Sequence, residues 1–129
     1  MTKNDNFLQP LLNTIKSLRG EKGCPWDKKQ TSLSLIQHLQ SESAELIEAV
    51  EREDKDNICE ELGDLLYLII MYAEIHNSIR EFDLRDVVEN INRKLIRRHP
   101  HVFEGKPYKD EEELKKQWQT IKQQEKNSV

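Results

Sequence analysis

The run from Asn57 to Ile79 is the most apolar in the chain, and its spacing limits the available folds more than any other feature. On a helix turning about 100° per residue, Ile58, Leu62, Leu65, Leu66, Leu68, Ile69 and Tyr72 gather on one broad face. Such a face has to be covered. With little strand signal elsewhere, the cover must come from other helices. Two residues sit badly in this picture: Glu61 falls inside the apolar arc and Asp64 at its edge, with Gly63 between them. Glu60 points roughly the opposite way. A carboxylate on a covered face is costly unless something pairs with it.

The remaining chain predicts the covering helices. One runs from about Pro10 to Leu18, with Leu11, Leu12, Ile15 and Leu18 apolar and Pro10 in the first turn. It stops at "RGEKGCPWDKKQT", where Gly20, Gly23 and Pro25 predict an ordered loop carrying Trp26. A second helix starts near Ser32, capped by Thr31 or Ser32, and runs to about Arg52 with Leu35, Ile36, Leu39, Leu46, Ile47 and Val50 as its stripe. Asp54 or Asp56 caps the apolar helix. A fourth follows Asp83 and ends at Pro100, its apolar face being Leu84, Val87, Val88, Ile91 and Leu95. The last starts near Asp110, with Glu113 placed for a capping box, and leaves only the "EKNSV" tail frayed.

Helices of this length joined by short breaks predict an all-α antiparallel bundle of about four or five helices. The 129 residues are expected to form one domain, with its core at about 8–125. The apolar face is wide for so small a chain, so a homodimer or homotetramer is expected; a monomeric bundle is the alternative. The formal net charge of −4 argues against a general nucleic-acid binder while leaving room for a local basic site. Cys24 and Cys59 lack metal-site spacing and read as reduced thiols of a cytoplasmic protein. "MTKNDNFLQPLL" has no secretory apolar core, and no apolar stretch approaches the roughly 20 residues of a membrane span.

The partner of Glu61 and Asp64 is sought on the preceding helix, where "SESAELIEAV" places Glu42 at the border of the apolar stripe and Glu45 one step further round. Consecutive helices joined by a short break are antiparallel neighbours, so the two acidic pairs can face one another. Four carboxylates in one place need protons or cations. All-oxygen ligands select hard cations, Mg²⁺ above all, with Mn²⁺ as a substitute. A di-iron site is disfavoured, because Glu48 and Tyr67 stand where its histidines would be. The bland reading is a set of solvated or Lys-paired carboxylates.

Charge of the opposite sign lies in "INRKLIRRHPHVF", where Lys94 and Arg98 border the apolar face and Asn92 lies at a less favourable angle. Each alone reads as well as a snorkelling side chain. Together they can hold anionic oxygens, Arg98 by its planar fork and Lys94 as a point charge. His99 and His101 read as hydrogen-bonding residues that close the helix. Trp118, with Lys122 one turn on, is either a core anchor or an aromatic face for a base. No glycine-rich phosphate loop, Ser-His-Asp set or cysteine nucleophile stands out.

From about Leu11 to Lys126, the order of "LRGEKGCPWDKKQT", "SESAELIEAV", "EELGDLL", "KLIRRHPHVF" and "WQTIK" resembles the MazG nucleoside triphosphate pyrophosphohydrolases. The resemblance implies an all-α dimer or higher oligomer. It also implies that Mg²⁺ is held by Glu42, Glu45, Glu61 and Asp64, and that Lys94, Arg98, Trp118 and Lys122 handle substrate. Trp26 and Asp27 would lie near the nucleotide. Ser41 departs from the adjacent glutamate pair of many members, and this chain carries one such domain where some relatives carry two. The implied reaction is hydrolysis of a nucleoside triphosphate to monophosphate and pyrophosphate, with Glu42 or Glu45 as the base. Narrower pyrophosphatases for dUTP, dCTP or a phosphoribosylated nucleotide are the near rival. A non-catalytic nucleotide-sensing dimer is the distant one.

Overall fold

The structure, a computed structural model, describes residues 6–128. The leader reading of the first five residues and the fraying of Val129 lie outside them. Among the described residues there are seven helices and no strand, so the all-α class is found as expected. They are α1 (Gln9–Leu18), α2 (Pro25–Lys29), α3 (Ile36–Glu51), α4 (Lys55–Ser78), α5 (Leu84–Arg98), α6 (Pro100–Phe103) and α7 (Glu111–Asn127).

Three differences from the sequence reading have local causes. The Gly/Pro segment is an ordered connection but also contains α2, started by Pro25, whose missing N–H costs nothing in a first turn. Gly23 is required before it: a Cβ there would lie 2.2 Å from the Leu18 carbonyl oxygen. The second predicted helix begins four residues late, at Ile36 rather than Ser32. Thr31 and Ser34 exchange hydrogen bonds, Thr31 N to Ser34 Oγ at 2.9 Å and Ser34 N to Thr31 Oγ1 at 3.1 Å. The predicted cap therefore closes a turn ahead of α3. The "EKNSV" tail stays helical as far as Asn127.

At the starts of α4 and α7 the caps are those the sequence predicts. Asp54 accepts from the Asn57 N–H at the start of α4. Asp110 accepts from Glu113 N at 2.9 Å, and the Glu113 carboxylate reaches back to Lys109 N at 2.6 Å.

The chain divides into two compact units, one up to Leu84 and one from Arg85. In the first, α3 and α1 pack on α4. Ile15, Leu35, Leu68, Ile70, Met71 and Ile75 form the core, bordered by Leu11, Leu12, Tyr67, Tyr72 and Leu84. Each fully buried side chain among them stabilises the fold by about 1.5–3 kcal/mol. The turn ahead of α3 and the end of α4 are joined through His76, which shares a hydrogen bond with Ser32 Oγ at 2.8 Å and another with Glu81 at 2.6 Å. Phe82 stacks on its ring. The two helices therefore run antiparallel.

The broad face expected of α4 needs correction. Leu62, Leu66 and Ile69 are 53%, 38% and 48% exposed, while Ile70 and Met71, which lie outside the predicted arc, are buried. The helix has apolar residues on more than one side, and α1 and α3 cover only part of it. The row that is covered contains Glu61, Leu68, Met71 and Ile75, at steps of seven, three and four residues along one side of the helix. A carboxylate thus occupies a core position.

In the second unit neither α5 nor α7 buries a residue completely. Their last turns are tied by Glu125, which receives both Arg97 and Arg98.

Candidate active site

Glu42 and Glu45 project from α3 and Glu61 from α4. One carboxylate oxygen from each lies within 4.8 Å of the others. Glu61 is 8% exposed, Glu42 half-buried, and Glu45 and Asp64 exposed. Glu42 Oε2 and Glu61 Oε1 are fully covered and meet no hydrogen-bond donor among the described residues. Burial first, then the charges of Glu45, Asp64 and Glu61, push the Glu42 carboxyl from 4.5 up to about 7. Burial, Glu45 and Asp64 move Glu61 in the same direction. Glu48 takes no part: it pairs with Arg52 at 3.2 Å on the surface.

Orphaned, mutually repelling oxygens are what a hard cation with oxygen ligands completes. The residues therefore fit a divalent metal such as Mg²⁺. Asp64, one turn beyond Glu61, is close enough for its charge to act on Glu42 and Glu61, although the tight group contains only the three glutamates.

Trp26 and Asp27 lie on α2 and differ in role. The Trp26 ring, 36% exposed, meets His38 of α3 edge-on at 5.1 Å. Asp27 is 5% exposed, and its carboxylate accepts the Tyr67 hydroxyl from α4. Arg19 donates to the Asp27 carbonyl at 2.6 Å, Gln30 Nε2 to the Trp26 carbonyl at 2.9 Å, and Ser34 Oγ to Gln30 Oε1 at 2.6 Å. Burial, and then Asp27, hold the Tyr67 phenol well above its usual range, so it remains a donor. Asp27 is thus tied into the framework, while Trp26 keeps an open ring. His38 stands one turn before Glu42, and Tyr67 one turn after Asp64.

The second unit contains the basic and aromatic residues. Lys94 and Asn92 are exposed on α5. Arg98 donates through Nη2 to Glu125 at 2.7 Å and through Nε to both carboxylate oxygens at 3.3 Å. Lys122 Nζ lies 4.7 Å from the centre of the Trp118 ring. Arg98 and Trp118 line one cavity of about 240 Å³, together with His99, His101, Lys115 and Glu111. His99 donates from Nδ1 to the Leu95 carbonyl at 2.6 Å, the helix-closing role expected of it.

Sequence reasoning passed over Tyr67, Arg19 and Glu125. Tyr67 carried a signal, its spacing of three from Asp64. Glu125 carried one too, since it follows Trp118 and Lys122 along one face of α7.

Comparison with known proteins settles the family. Residues 30–103 match the MazG nucleotide pyrophosphohydrolase domain, a stretch that includes all four acids, Lys94 and Arg98. The chain belongs to the MazG family. It is 43% identical over 120 residues to the nucleoside triphosphate pyrophosphohydrolase/pyrophosphatase MazG of Thermotoga maritima, covering 93% of this chain and 46% of that protein. It is 46% identical over 114 residues to the uncharacterized protein YabN of Bacillus subtilis, covering 88% of this chain and 23% of that one. The chain therefore spans less than half the length of these two relatives. A crystal structure of a mazG-related protein from Thermotoga maritima superposes with a TM-score of 0.73 at 30% identity, covering 92% of this chain and 99% of the other. The MazG match omits Trp26, Asp27, Trp118 and Lys122, which lie outside residues 30–103.

Proposed function

We propose that this MazG chain hydrolyses nucleoside triphosphates to the monophosphate and pyrophosphate, with a divalent cation, Mg²⁺ or in its place Mn²⁺, held by Glu42, Glu45, Glu61 and Asp64. The observation that carries the reading is the pair of covered carboxylate oxygens, Glu42 Oε2 and Glu61 Oε1, that no donor among the described residues meets. Covered carboxylates that repel one another are costly, and a bound cation offsets that cost.

When bound, Mg²⁺ would draw in phosphate oxygens and acidify water. Glu61, buried and fixed by the core row below it, orients the ligand set. Glu42 and Glu45 are the residues to accept the proton of the attacking water, Glu45 being the more open to solvent. Lys94 and Arg98 neutralise charge on the phosphates, where positioning and electrostatics supply most of the catalysis. Trp118 and Lys122 hold the nucleoside end; in the first unit, Trp26 keeps an open ring.

The exposed apolar residues Leu62, Leu66 and Ile69 of α4, with Ile47 and Val50 of α3, support assembly as a homodimer or homotetramer. No described helix is long and apolar enough to cross a membrane.

The test is product analysis of the purified chain with each common ribo- and deoxyribonucleoside triphosphate, with and without Mg²⁺. Monophosphate and pyrophosphate in equal amounts, formed only with metal, is the expected result. Glu61→Gln should lower turnover to below roughly a hundredth while helical content survives. Full activity in that variant would remove the metal assignment.

A further inference from the structure

The best-tied charged group outside the acidic cluster is Glu125, and its geometry has a direction. Its carboxylate, 21% exposed, lies between Arg97 and Arg98 at the last turns of α5 and α7. Arg97 Nε donates to Oε2 at 2.5 Å, but half of the Arg97 side chain is in solvent. Arg98 is 19% exposed and is held along one edge of its guanidinium, through Nε and Nη2. A guanidinium offers donors along more than one edge. Among the described residues no acceptor meets Arg98 Nη1, so the edge formed by Nη1 and Nη2 keeps donors to spend. That is the edge a phosphate takes in a two-point contact. Arg98 also lines the cavity that Trp118 lines, whereas Glu125 and Arg97 line a different one.

From this we infer that Glu125 is a positioning residue: it grips the Nε–Nη2 edge of Arg98 and presents the adjacent Nη1–Nη2 edge to a substrate phosphate. The inference rests on the proposed role of Arg98 in triphosphate hydrolysis. A free arginine side chain loses rotamer freedom whenever it binds, and a carboxylate that fixes it beforehand removes that cost from the reacting complex. One carboxylate between two arginines also leaves the group net positive, so the attraction for phosphate survives. Lys94, one turn earlier on α5, has no such brace among the described residues, so the two cations differ in preorganisation as well as in shape.

The test is a double-mutant cycle on the full chain with Mg²⁺ and the best nucleoside triphosphate as substrate. Arg98→Ala is measured first. If kcat/KM stays unchanged, the role given to Arg98 fails and the inference falls with it, leaving the metal assignment untouched. With Arg98 shown to matter, Glu125→Ala should lower kcat/KM roughly tenfold in the wild-type background and less than about twofold in the Arg98→Ala background. Glu125→Gln, which keeps one acceptor oxygen, should recover part of the loss.

Equal losses in both backgrounds would mean that Glu125 merely braces two helix ends, and the inference would be overturned. An unchanged or higher kcat/KM in Glu125→Ala would overturn it too, since Glu125 would then be idle or a competitor of the phosphate. A second readout is independent of activity and of marginal folding. The Arg98 Nε–H resonance should be protected from solvent exchange in the wild type and lose that protection in Glu125→Ala. An unprotected resonance in the wild type would contradict the grip itself.

Discussion

At the scale of single residues, the acids of the first unit show how a sequence pattern becomes a chemical property. Glu42 sits among leucines of α3, and its carboxyl titrates at about 7 because burial and neighbouring carboxylates disfavour its charge. An unfolded chain would lose that proton near 4.5. Between those two values the native state therefore binds more protons than the unfolded one, and stability falls as the pH rises through that window. Glu61 acts in the same sense. Glu125 acts in the opposite sense, but lower down: the arginines hold it at about 2, so its contribution is lost only as the pH falls below 4.5. Thermal melts with a chelator should show melting temperature declining from pH 5 towards about 7. Added Mg²⁺ should offset the decline above that range, because a cation replaces the missing protons. A flat metal-free profile would contradict the electrostatic account of the cluster.

At the scale of elements, the short α2 is the informative piece. Five residues cannot hold a helix alone, so its position depends on tertiary contacts. Tyr67 of α4 supplies one of them by donating to the buried Asp27. Tyr67→Phe should destabilise the fold by about 1–3 kcal/mol, because the Asp27 carboxylate would lose a donor without regaining water. Chemical denaturation measures this, and a loss below about 0.5 kcal/mol would show that water or Arg19 replaces the phenol. If α2 also moves, the fluorescence of Trp26 should shift. Asp27 illustrates what spacing leaves open: next to Trp26 it reads as part of a binding loop, yet its partner lies 40 residues away on another helix.

At the scale of the whole molecule, the apolar residues left exposed decide what remains to be covered. Leu62, Leu66 and Ile69 follow one another at helical steps on α4. Under the proposed assembly they would be buried against a second copy, and light scattering after size exclusion should give a dimer or larger species. Leu66→Lys should shift the population towards monomer, since it places a charge in an apolar interface. A wild-type chain that stays monomeric at about 50 μM would refute the assembly, given the affinities typical of stable interfaces.

Helical class, the order of the five longer helices and the caps at Asp54 and Asp110 followed from the sequence by itself, because periodicity and capping act over three or four residues. Asp54 and Asp110 each hold an N–H three positions on. The paired acids at Glu42 and Glu45, and at Glu61 and Asp64, were visible for the same reason, since a spacing of three puts both members on one side of a helix. Only the tertiary structure decided which acids meet: Glu42, Glu45 and Glu61 form the close group, and Asp64 acts on it through charge from an exposed position. It also decided which apolar side of α4 is covered, that Tyr67 serves Asp27, and that Glu125, 27 residues from Arg98, holds that arginine by one edge. Those choices depend on how helices dock, and docking is set by the shapes of distant surfaces, which no local spacing encodes.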